Sequence, residues 1–326
     1  MFGPALMRRL RAALLAPLMA ALSIAPAGAQ APAACFAAPG LAGTAREKTP
    51  VHGAPGSKLA PPATPVARAP AANVAGSIRR VDLPVGEKFV ALTFDLCEAS
   101  GEVAGYDGAL VDFLRANKVP ATLFAGGKWL LTHPARANQL LADPQFEIGN
   151  HTWTHWNLGV ASGAGMRAQV DAADAAYAAT RASLSRVCPA AAAPASMGLF
   201  RFPYGSCSAE SLGYVNQRGY RAIQWDVDSG DPWAAMNAGR MARGVLDRVR
   251  PGSIVLMHAN GRGFHTAEAL AEIVPALRAR GFEFLTVSAL LARGKPVVAA
   301  TCYGDKPGDT EIYDKRWRAL AGGAAR

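Results

Sequence analysis

Short apolar runs alternate with amphipathic stretches along most of the chain. Residues 89–94 form a continuous apolar run, which is typical of a strand buried on both faces of a parallel sheet. Further strands are predicted at 121–124, 146–148, 199–202, 222–225, 254–257 and 284–287. A stretch with helical spacing follows each strand, and these helices are predicted at 108–119, 135–141, 166–184, 212–216, 241–249, 267–278 and 289–291. This alternation predicts an α/β fold with seven parallel strands and right-handed crossovers, forming a closed or nearly closed barrel.

Polar side chains stand where five of these strands end. Asp95 follows the first strand, and His258 follows the sixth. The other candidates are His151 and His155 after the third strand, Arg201 in the fourth, and Asp226, Asp228 and Asp231 after the fifth. The carboxyl ends of parallel strands meet at one edge of the sheet, where α/β proteins build their sites. We therefore expect these groups to form one functional site.

The histidine pair is the feature that suggests a metal. His151 and His155 are four residues apart, so on a helical backbone they would share one face and both could reach one cation. Catalytic zinc is held by about three protein ligands and keeps one position open for water. The alternative is two hydrogen-bonding histidines in a polar loop, and the convergence of the other strand ends favours the metal.

These motifs together resemble a known family. They are TFD at 93–95, HTWTH at 151–155, RFPY at 201–204, DVDSGD at 226–231 and LMH at 256–258. In this order and spacing they resemble the polysaccharide deacetylase family, with its NodB-homology domain (carbohydrate esterase family four), over roughly residues 89–291. The resemblance implies a distorted (β/α)7 barrel. It also implies hydrolysis of N- or O-acetyl groups on peptidoglycan, chitin-like glycans or xylan with a divalent metal, often zinc.

The resemblance also assigns roles to individual residues. It implies that Asp95 is the general base, that Arg201 pairs with it, and that His258 is the general acid. The remaining roles implied are metal ligands for His151 and His155, and orientation of His258 by Asp228 or Asp231. We further expect backbone N–H groups near Tyr204 to stabilise the oxyanion together with the metal. Tyr204 and Trp233 are expected to contact the glycan.

One position departs from the family pattern. The family's second aspartate, a metal ligand, is replaced here by Leu96, which has no donor atom. Residues i and i+2 point the same way along an extended chain, so Glu98 is favoured as the substitute ligand. Asp95 and Asp107 are the other carboxylates considered. On this hypothesis Glu98→Gln would sharply reduce metal affinity.

Two other functions remain open. Leu96 breaks the family motif, so one alternative is a non-catalytic glycan-binding module. The other is a hydrolase of non-sugar amides. Retention of Asp95, Arg201 and His258 together favours an enzyme over a pure binding module.

The segments outside the barrel predict an exported protein. Arginines, an apolar run and a small-residue cleavage site make residues 1–29 a secretory signal, too short for a comfortable membrane span. Residues 30–77 are rich in Ala, Pro and Gly and are predicted to be a disordered linker. The deacetylase-like domain is placed at 78–294 and a polar tail at 295–326. Lipid attachment at Cys35 is a weaker alternative, since its lipobox is poor.

The charge distribution and the absence of a phosphate-binding motif argue against nucleic acid and nucleotides as partners. The net charge is +10, but residues 1–80 carry +8 of it, which leaves no basic stripe for nucleic acid on the folded part. No glycine-rich phosphate motif follows a strand, which argues against a nucleotide fold.

Four cysteines, Cys97, Cys188, Cys207 and Cys302, lie in the folded part, where one or two disulfides are plausible after export. Cys302 could pin the tail to the barrel. A nucleophilic Cys97 is disfavoured because an unpaired catalytic thiol is vulnerable in an oxidising compartment.

Overall fold

A curled, mostly parallel sheet forms the centre of the molecule. The structure is a computed structural model that describes residues 35–62 and 75–323. Its strands are β1 (Val51–His52), β2 (Ser77–Asp82), β3 (Phe89–Leu96), β4 (Glu102–Val103), β5 (Ala121–Ala125), β6 (Phe146–Asn150), β7 (Leu199–Phe200), β8 (Arg221–Ile223), β9 (Val227–Asp228), β10 (Ile254–His258), β11 (Glu283–Phe284) and β12 (Lys295–Ala299). The main sheet has the order β12-β2-β8-β7-β6-β5-β3-β10-β9, with β11 beside β3, and β12 alone in it is antiparallel to its neighbour.

The sheet closes on itself through one stretch of chain, residues 221–228. The first part of this stretch, β8, is bonded to β7 and β2, and its last part, β9, is bonded to β10. The backbone N–H of Val81 in β2 also donates to the carbonyl of Gly252, just before β10, at 2.9 Å. The result is the distorted (β/α)7 barrel that the resemblance implied.

Helices cover the outside of the barrel. They are α1 (Ala38–Leu41), α2 (Gly108–Ala116), α3 (Gly127–Thr132), α4 (Pro134–Ala142), α5 (Gly163–Val187), α6 (Ala209–Gln217), α7 (Ala238–Arg248), α8 (Thr266–Ala279), α9 (Val287–Leu291) and α10 (Glu311–Gly323). Helix α2 shows how the sequence forms them. The Asp107 carboxylate caps it by accepting from the N–H of Leu110, and its apolar residues Leu110, Val111 and Leu114 are buried in the hydrophobic core.

Most of the predicted elements are present, with three strands shortened. The fourth and fifth predicted strands, 199–202 and 222–225, are observed as β7 and β8 over 199–200 and 221–223. The seventh predicted strand, 284–287, is reduced to β11, because Thr286 caps α9 and Val287 already belongs to that helix. The sequence reading missed β2 and β12, which pair with each other. It also missed α3, a helix of six residues that is too short to show apolar periodicity.

The segment before the barrel is ordered over residues 35–62, contrary to the predicted disordered linker. Cys35 is bonded to Cys188, so it is paired within the chain. The Arg136 guanidinium donates to the carbonyls of Gly40 and Ala42 and to the carboxylate of Glu47, at 2.8–2.9 Å. These contacts use a disulfide and backbone carbonyls, which leave no apolar pattern in the sequence. The predicted signal (1–29) and residues 30–34 and 63–74 of the predicted linker lie outside the described residues.

The segment after the barrel is also built into the molecule. Residues 295–299, predicted to begin a polar tail, form β12 along β2. The Cys207–Cys302 disulfide confirms that Cys302 pins this segment to the barrel. Among the described residues, no helix has the length and apolar character that crossing a bilayer requires.

Candidate active site

A cavity of about 520 Å3 opens where the parallel strands end. Strand register brings the candidate groups to this edge, since Asp95 of β3 is aligned with His258 of β10 and with Phe124 of β5. The cavity wall includes Asp95, Cys97, His155, Tyr204, Asp228 and His258.

Asp95 is held by a buried arginine. Arg201 Nη1 donates to Asp95 Oδ1 at 2.9 Å, and the guanidinium lies 4.1 Å from the ring centre of Phe124. Burial by itself would raise the pKa of Asp95, but the positive charge and hydrogen bond of Arg201 oppose it, and that pKa lies below its ordinary value. Asp95 is therefore an ionised, oriented carboxylate on the cavity wall.

The two histidines meet as expected, although the backbone between them is not helical. Residues 151–157 form a loop in which Thr152 and His155 have φ angles of 66° and 59°. These left-handed residues fold the chain so that the imidazole centres lie 4.9 Å apart. The predicted proximity is correct and its helical explanation is wrong.

His151 presents a free lone pair to the site. Its Nδ1 is 2.9 Å from the carbonyl oxygen of Arg201, which can only accept, so Nδ1 carries the proton. Burial lowers the pKa of His151 and, more strongly, that of His155, so both rings are neutral. His151 Nε2 is buried without a hydrogen bond, although Asp95 Oδ2 lies only 3.3 Å away.

Asp231 holds His258. Its Oδ1 accepts from His258 Nδ1 at 2.8 Å, and its Oδ2 accepts from the backbone N–H of His258 at 2.7 Å. Burial alone would lower the pKa of His258, but the charge and hydrogen bond of Asp231 raise it to about 9. Asp228, the other candidate for this role, lies on the cavity wall and accepts instead from the N–H of Gly230 at 2.8 Å. Of the two, Asp231 is the residue that orients His258.

Comparison with known proteins identifies the family. A family model described as polysaccharide deacetylase matches residues 82–223. Over 203 residues the chain is 32% identical to a chitooligosaccharide deacetylase of Azorhizobium caulinodans, covering 59% of this chain and 89% of that protein. The chain belongs to the polysaccharide deacetylase family. The expected enzyme class, a hydrolase acting on amide bonds of polysaccharides, is thereby confirmed.

Two solved structures share the fold of this deacetylase. The Bc1960 peptidoglycan N-acetylglucosamine deacetylase superposes with a TM-score of 0.55 at 26% identity, covering 67% of this chain and 93% of that one. A wild-type family 4 pseudoenzyme from Bacillus anthracis superposes with a TM-score of 0.56 at 25% identity, covering 68% and 71%. The fold is thus shared by a named deacetylase and by a protein named as a pseudoenzyme. The fold alone therefore does not distinguish a catalytic site from an inactive one, and the side chains of the site have to be compared with the chemistry.

Glu98 does not lie with the histidines, and its expected role as a metal ligand is wrong. Its fully buried carboxylate is 3.0 Å from Lys128 Nζ and accepts from the backbone N–H of Ala104 and the hydroxyl of Thr132. These partners occupy both of its oxygens, and Glu98 does not line the cavity. Asp107, the other carboxylate considered, caps α2 and is 2.7 Å from Lys48 Nζ.

Cys97 lies where Glu98 was expected. One ligand atom each from Cys97, His151 and His155 lie within 4.8 Å of one another. The sequence reading had considered Cys97 only as a nucleophile. The i, i+2 rule that it applied to Leu96 and Glu98 applies better to Asp95 and Cys97, both of which line the cavity.

Of the two residues expected to bind substrate, one lies in the cavity. Tyr204 lines it, with its ring 4.6 Å from that of His155. Trp233 does not line the cavity; its ring is about half exposed and the Arg240 guanidinium lies over it at 5.2 Å. Trp225, in contrast, does line the cavity wall.

The sequence reading missed the C-terminal side of the cavity. Asp305, Asp309 and Tyr313 line it, and the Tyr313 ring is 5.5 Å from Tyr204. Asp314 fixes this segment, because its Oδ1 accepts from Ser206 Oγ at 2.7 Å and from Asn157 Nδ2 at 2.8 Å. The segment was predicted to be a polar tail, and its one sequence signal was Cys302.

Proposed function

We propose that this deacetylase uses zinc to remove N-acetyl groups from a glycan outside the cytoplasm. The glycan is peptidoglycan or a chitin-like polymer. The named relatives of this deacetylase support the substrate class, since they act on chitooligosaccharide and on peptidoglycan N-acetylglucosamine. Deacetylases of this family use a divalent metal. The side chains described above support both the metal and the chemistry.

The observation that carries the proposal is the contact between His151 and Asp95. A neutral His151 with its proton on Nδ1 directs the Nε2 lone pair at a carboxylate oxygen 3.3 Å away, and both atoms are buried. Two electron-rich atoms in that arrangement repel each other unless a proton or a metal cation lies beside them. The Nδ1–H bond to a backbone carbonyl is the usual support of a metal-binding histidine. His151 and His155 therefore fit a metal. Bound there, zinc would polarise the acetyl carbonyl and lower the pKa of a water molecule towards roughly 7.

Asp95 and His258 are the proton-transfer groups in this proposal. Asp95 is ionised and fixed by Arg201, so it can accept the proton of the attacking water. His258, with its pKa raised to about 9, is protonated at neutral pH and can donate to the departing amine. The two residues are aligned on neighbouring strands, so they can act on opposite sides of one acetamide.

The side chains that line the cavity are suited to binding a sugar ring. Tyr204, Trp225 and Tyr313 line the cavity with aromatic surface, and Asp228 and Asp305 add hydrogen-bond acceptors. Aromatic faces and carboxylates are suited to the apolar face and the hydroxyls of a pyranose. The backbone near Tyr204, where φ is 59°, is proposed to present N–H groups to the oxyanion.

We propose export to the periplasm or the medium. Two disulfides support it, since such bonds persist in oxidising compartments. N-terminal sequencing of the mature protein should find a chain that starts after Ala29. Recovery of Met1 would contradict export through this signal.

Acetate release from a panel of N- and O-acetylated glycans tests the activity. We expect release from N-acetylated substrates that a chelator abolishes and zinc restores. His258→Ala should retain metal but lose at least about a hundredfold in turnover, since it removes a general acid. His265→Asn is the matched control, because His265 is half exposed and outside the cavity wall.

A non-catalytic glycan-binding module is the alternative, favoured by Leu96 and by the likeness to a pseudoenzyme. It predicts glycan binding and no acetate release under any metal condition. The Asp95–Arg201 and His258–Asp231 pairs argue for turnover, because a binding module has no use for an oriented base and acid. Release from small cyclic amides and not from glycans would indicate a hydrolase of non-sugar amides.

A further inference from the structure

Cys97 is the one cysteine outside the disulfides. The chain has five cysteines, of which Cys35, Cys188, Cys207 and Cys302 form two bridges. Cys97 is a free, buried cysteine, and it forms part of the cavity wall. Its sulfur, one ring nitrogen of His151 and one ring nitrogen of His155 lie within 4.8 Å of one another. Small side-chain movements would bring these atoms to the zinc bond lengths of about 2.0–2.3 Å.

The end of β3 explains why the cysteine, and not its neighbours, reaches the site. Leu96 is buried in the apolar core, and Glu98 is paired with Lys128 behind the strand end. Asp95 and Cys97 both line the cavity. A carboxylate at position 98 thus cannot replace the missing ligand at position 96, whereas a side chain at 97 can.

A neighbouring amide supports the sulfur. Asn260 Nδ2 donates to Cys97 Sγ at 3.0 Å and to the carbonyl oxygen of Cys97 at 2.8 Å. An N–H donor on sulfur orients it. Burial and the charge of Asp95 raise the pKa of the Cys97 thiol, so the thiolate forms when a bound cation displaces the proton. Independently, the buried and unpartnered Nε2 of His151 points to a cation at the same place.

We propose that Cys97 is the third protein ligand of the metal, as a thiolate in place of the carboxylate that Leu96 cannot supply. This inference rests on the proposed metal site at His151 and His155. A site with two imidazoles and one thiolate keeps a fourth position open for water, as catalytic zinc sites do. A soft sulfur ligand also makes the site selective for zinc or cobalt over Mg2+, Ca2+ and Mn2+, which prefer oxygen.

Cobalt titration of metal-stripped protein tests the ligand directly. Co2+ bound to a thiolate gives a near-ultraviolet charge-transfer band, besides the visible d–d bands of any tetrahedral Co2+ site. The other four cysteines are in disulfides, so a charge-transfer band can come only from Cys97. We expect the wild-type protein to show this band with an equivalence point at one Co2+ per chain.

Two variants distinguish the contribution of the Cys97 sulfur to Co2+ binding from that of the other side chains of the site. Cys97→Asp should still bind Co2+, with d–d bands but no charge-transfer band, and its preference for zinc over Mn2+ should fall by about tenfold or more. Glu98→Gln is the control, since its carboxylate lies away from the histidines, and it should keep the charge-transfer band. The wild-type spectrum needs no variant, so misfolding of Cys97→Asp would leave the test intact.

Each outcome is decisive. Wild-type protein that binds Co2+ through His151, shown by loss of the d–d bands in His151→Ala, yet gives no charge-transfer band would overturn the role of Cys97 and leave the proposed function standing. Wild-type protein that binds no Co2+ or zinc would overturn both. A charge-transfer band that survives in Cys97→Asp would also overturn it.

Discussion

Asp231 sets the protonation state of His258. The buried carboxylate accepts from both the ring and the backbone N–H of His258, and Thr266 Oγ1 also donates to it at 2.9 Å. An ion pair held at both ends in this way resists rotation of the imidazole. The pKa of about 9 for His258 follows from this pairing, because burial acts in the opposite direction.

We expect turnover to decline as pH rises through about 9. His258 is the proposed acid, so the active form is the protonated one, present below its raised pKa and lost above it. Asp231→Asn removes the charge that raises this pKa, so the alkaline limb of the pH profile should move to lower pH by one unit or more, each unit being about 1.4 kcal/mol. The measurement is kcat/KM against pH, which reports the pKa values of the free enzyme.

Asp305→Asn is the matched control for this experiment. Asp305 also lines the cavity, but it is well exposed and forms no hydrogen bond with His258 among the described residues. The alkaline limb of the pH profile of Asp305→Asn should coincide with that of the wild-type protein. An unshifted limb in Asp231→Asn would contradict the role of His258 as the acid.

Glu98 has a structural role that can be measured. Its carboxylate and Lys128 Nζ are fully buried and 3.0 Å apart, and loss of one charge leaves the other buried and unpaired. We expect Glu98→Gln to lower the free energy of unfolding by about 3 kcal/mol, with zinc content unchanged. Denaturant unfolding and elemental analysis measure the two effects.

Removal of both charges should restore part of this loss. The double variant Glu98→Gln/Lys128→Met leaves no unpaired charge in the core, so its unfolding free energy should exceed that of Glu98→Gln. Loss of zinc from Glu98→Gln would instead support Glu98 as a metal ligand.

At the scale of the elements, the C-terminal segment forms a wall of the active site. The Cys207–Cys302 bridge and the hydrogen bonds of Asp314 hold Tyr313 against Tyr204. The Arg79 side chain adds to this, since it donates to the carbonyl of Tyr303 and its guanidinium lies 3.8 Å from the ring centre of that residue. Loosening this segment should weaken substrate binding more than chemistry.

We expect Cys207→Ser/Cys302→Ser to raise KM severalfold with a smaller effect on kcat. Loss of a native bridge should also cost about 2–5 kcal/mol of stability. Cys35→Ser/Cys188→Ser is the control, because it removes the bridge that anchors residues 35–62, none of which lines the cavity. Steady-state kinetics and thermal unfolding of both variants make the comparison. Equal KM in the two double variants would contradict a substrate-binding role for the C-terminal segment.

The sequence predicts the barrel and the groups at its strand ends because both follow from local patterns. Asp95 and His258 each follow an apolar run and His151 follows a predicted strand, and parallel strands bring such ends together. Glu98 was misassigned because its partner Lys128 lies on α3, a helix the sequence pattern does not reveal. Contacts of the two flanking segments depend on disulfides, backbone carbonyls and Asp314, which carry no periodic signal.

At the scale of the whole molecule, metal binding and folding should be linked. A ligand that binds only the folded chain stabilises it by RT ln(1 + [L]/Kd), about 4 kcal/mol at a thousandfold excess over Kd. For a domain of this size, zinc removal by a chelator should therefore lower Tm on the order of 10 °C, and zinc should restore it. Calorimetry measures the shift.

His151→Ala provides the control for the thermal shift. His151 supplies the buried, unpartnered nitrogen, so the variant should lose most of the response to zinc. A zinc-induced rise in Tm of equal size in this variant would place the stabilising metal elsewhere.

The wall formed by Tyr313 has a consequence for biosynthesis. The polypeptide is made from its amino end, and residues 303–317 emerge after every strand of the barrel. The strands can associate before these residues arrive, but the substrate pocket gains its last side only when α10 docks on Tyr204 and Cys302 meets Cys207. Newly exported chains are thus expected to reach a folded but incomplete state first, and to become competent for glycan only once the C-terminal segment has docked and this bridge has formed.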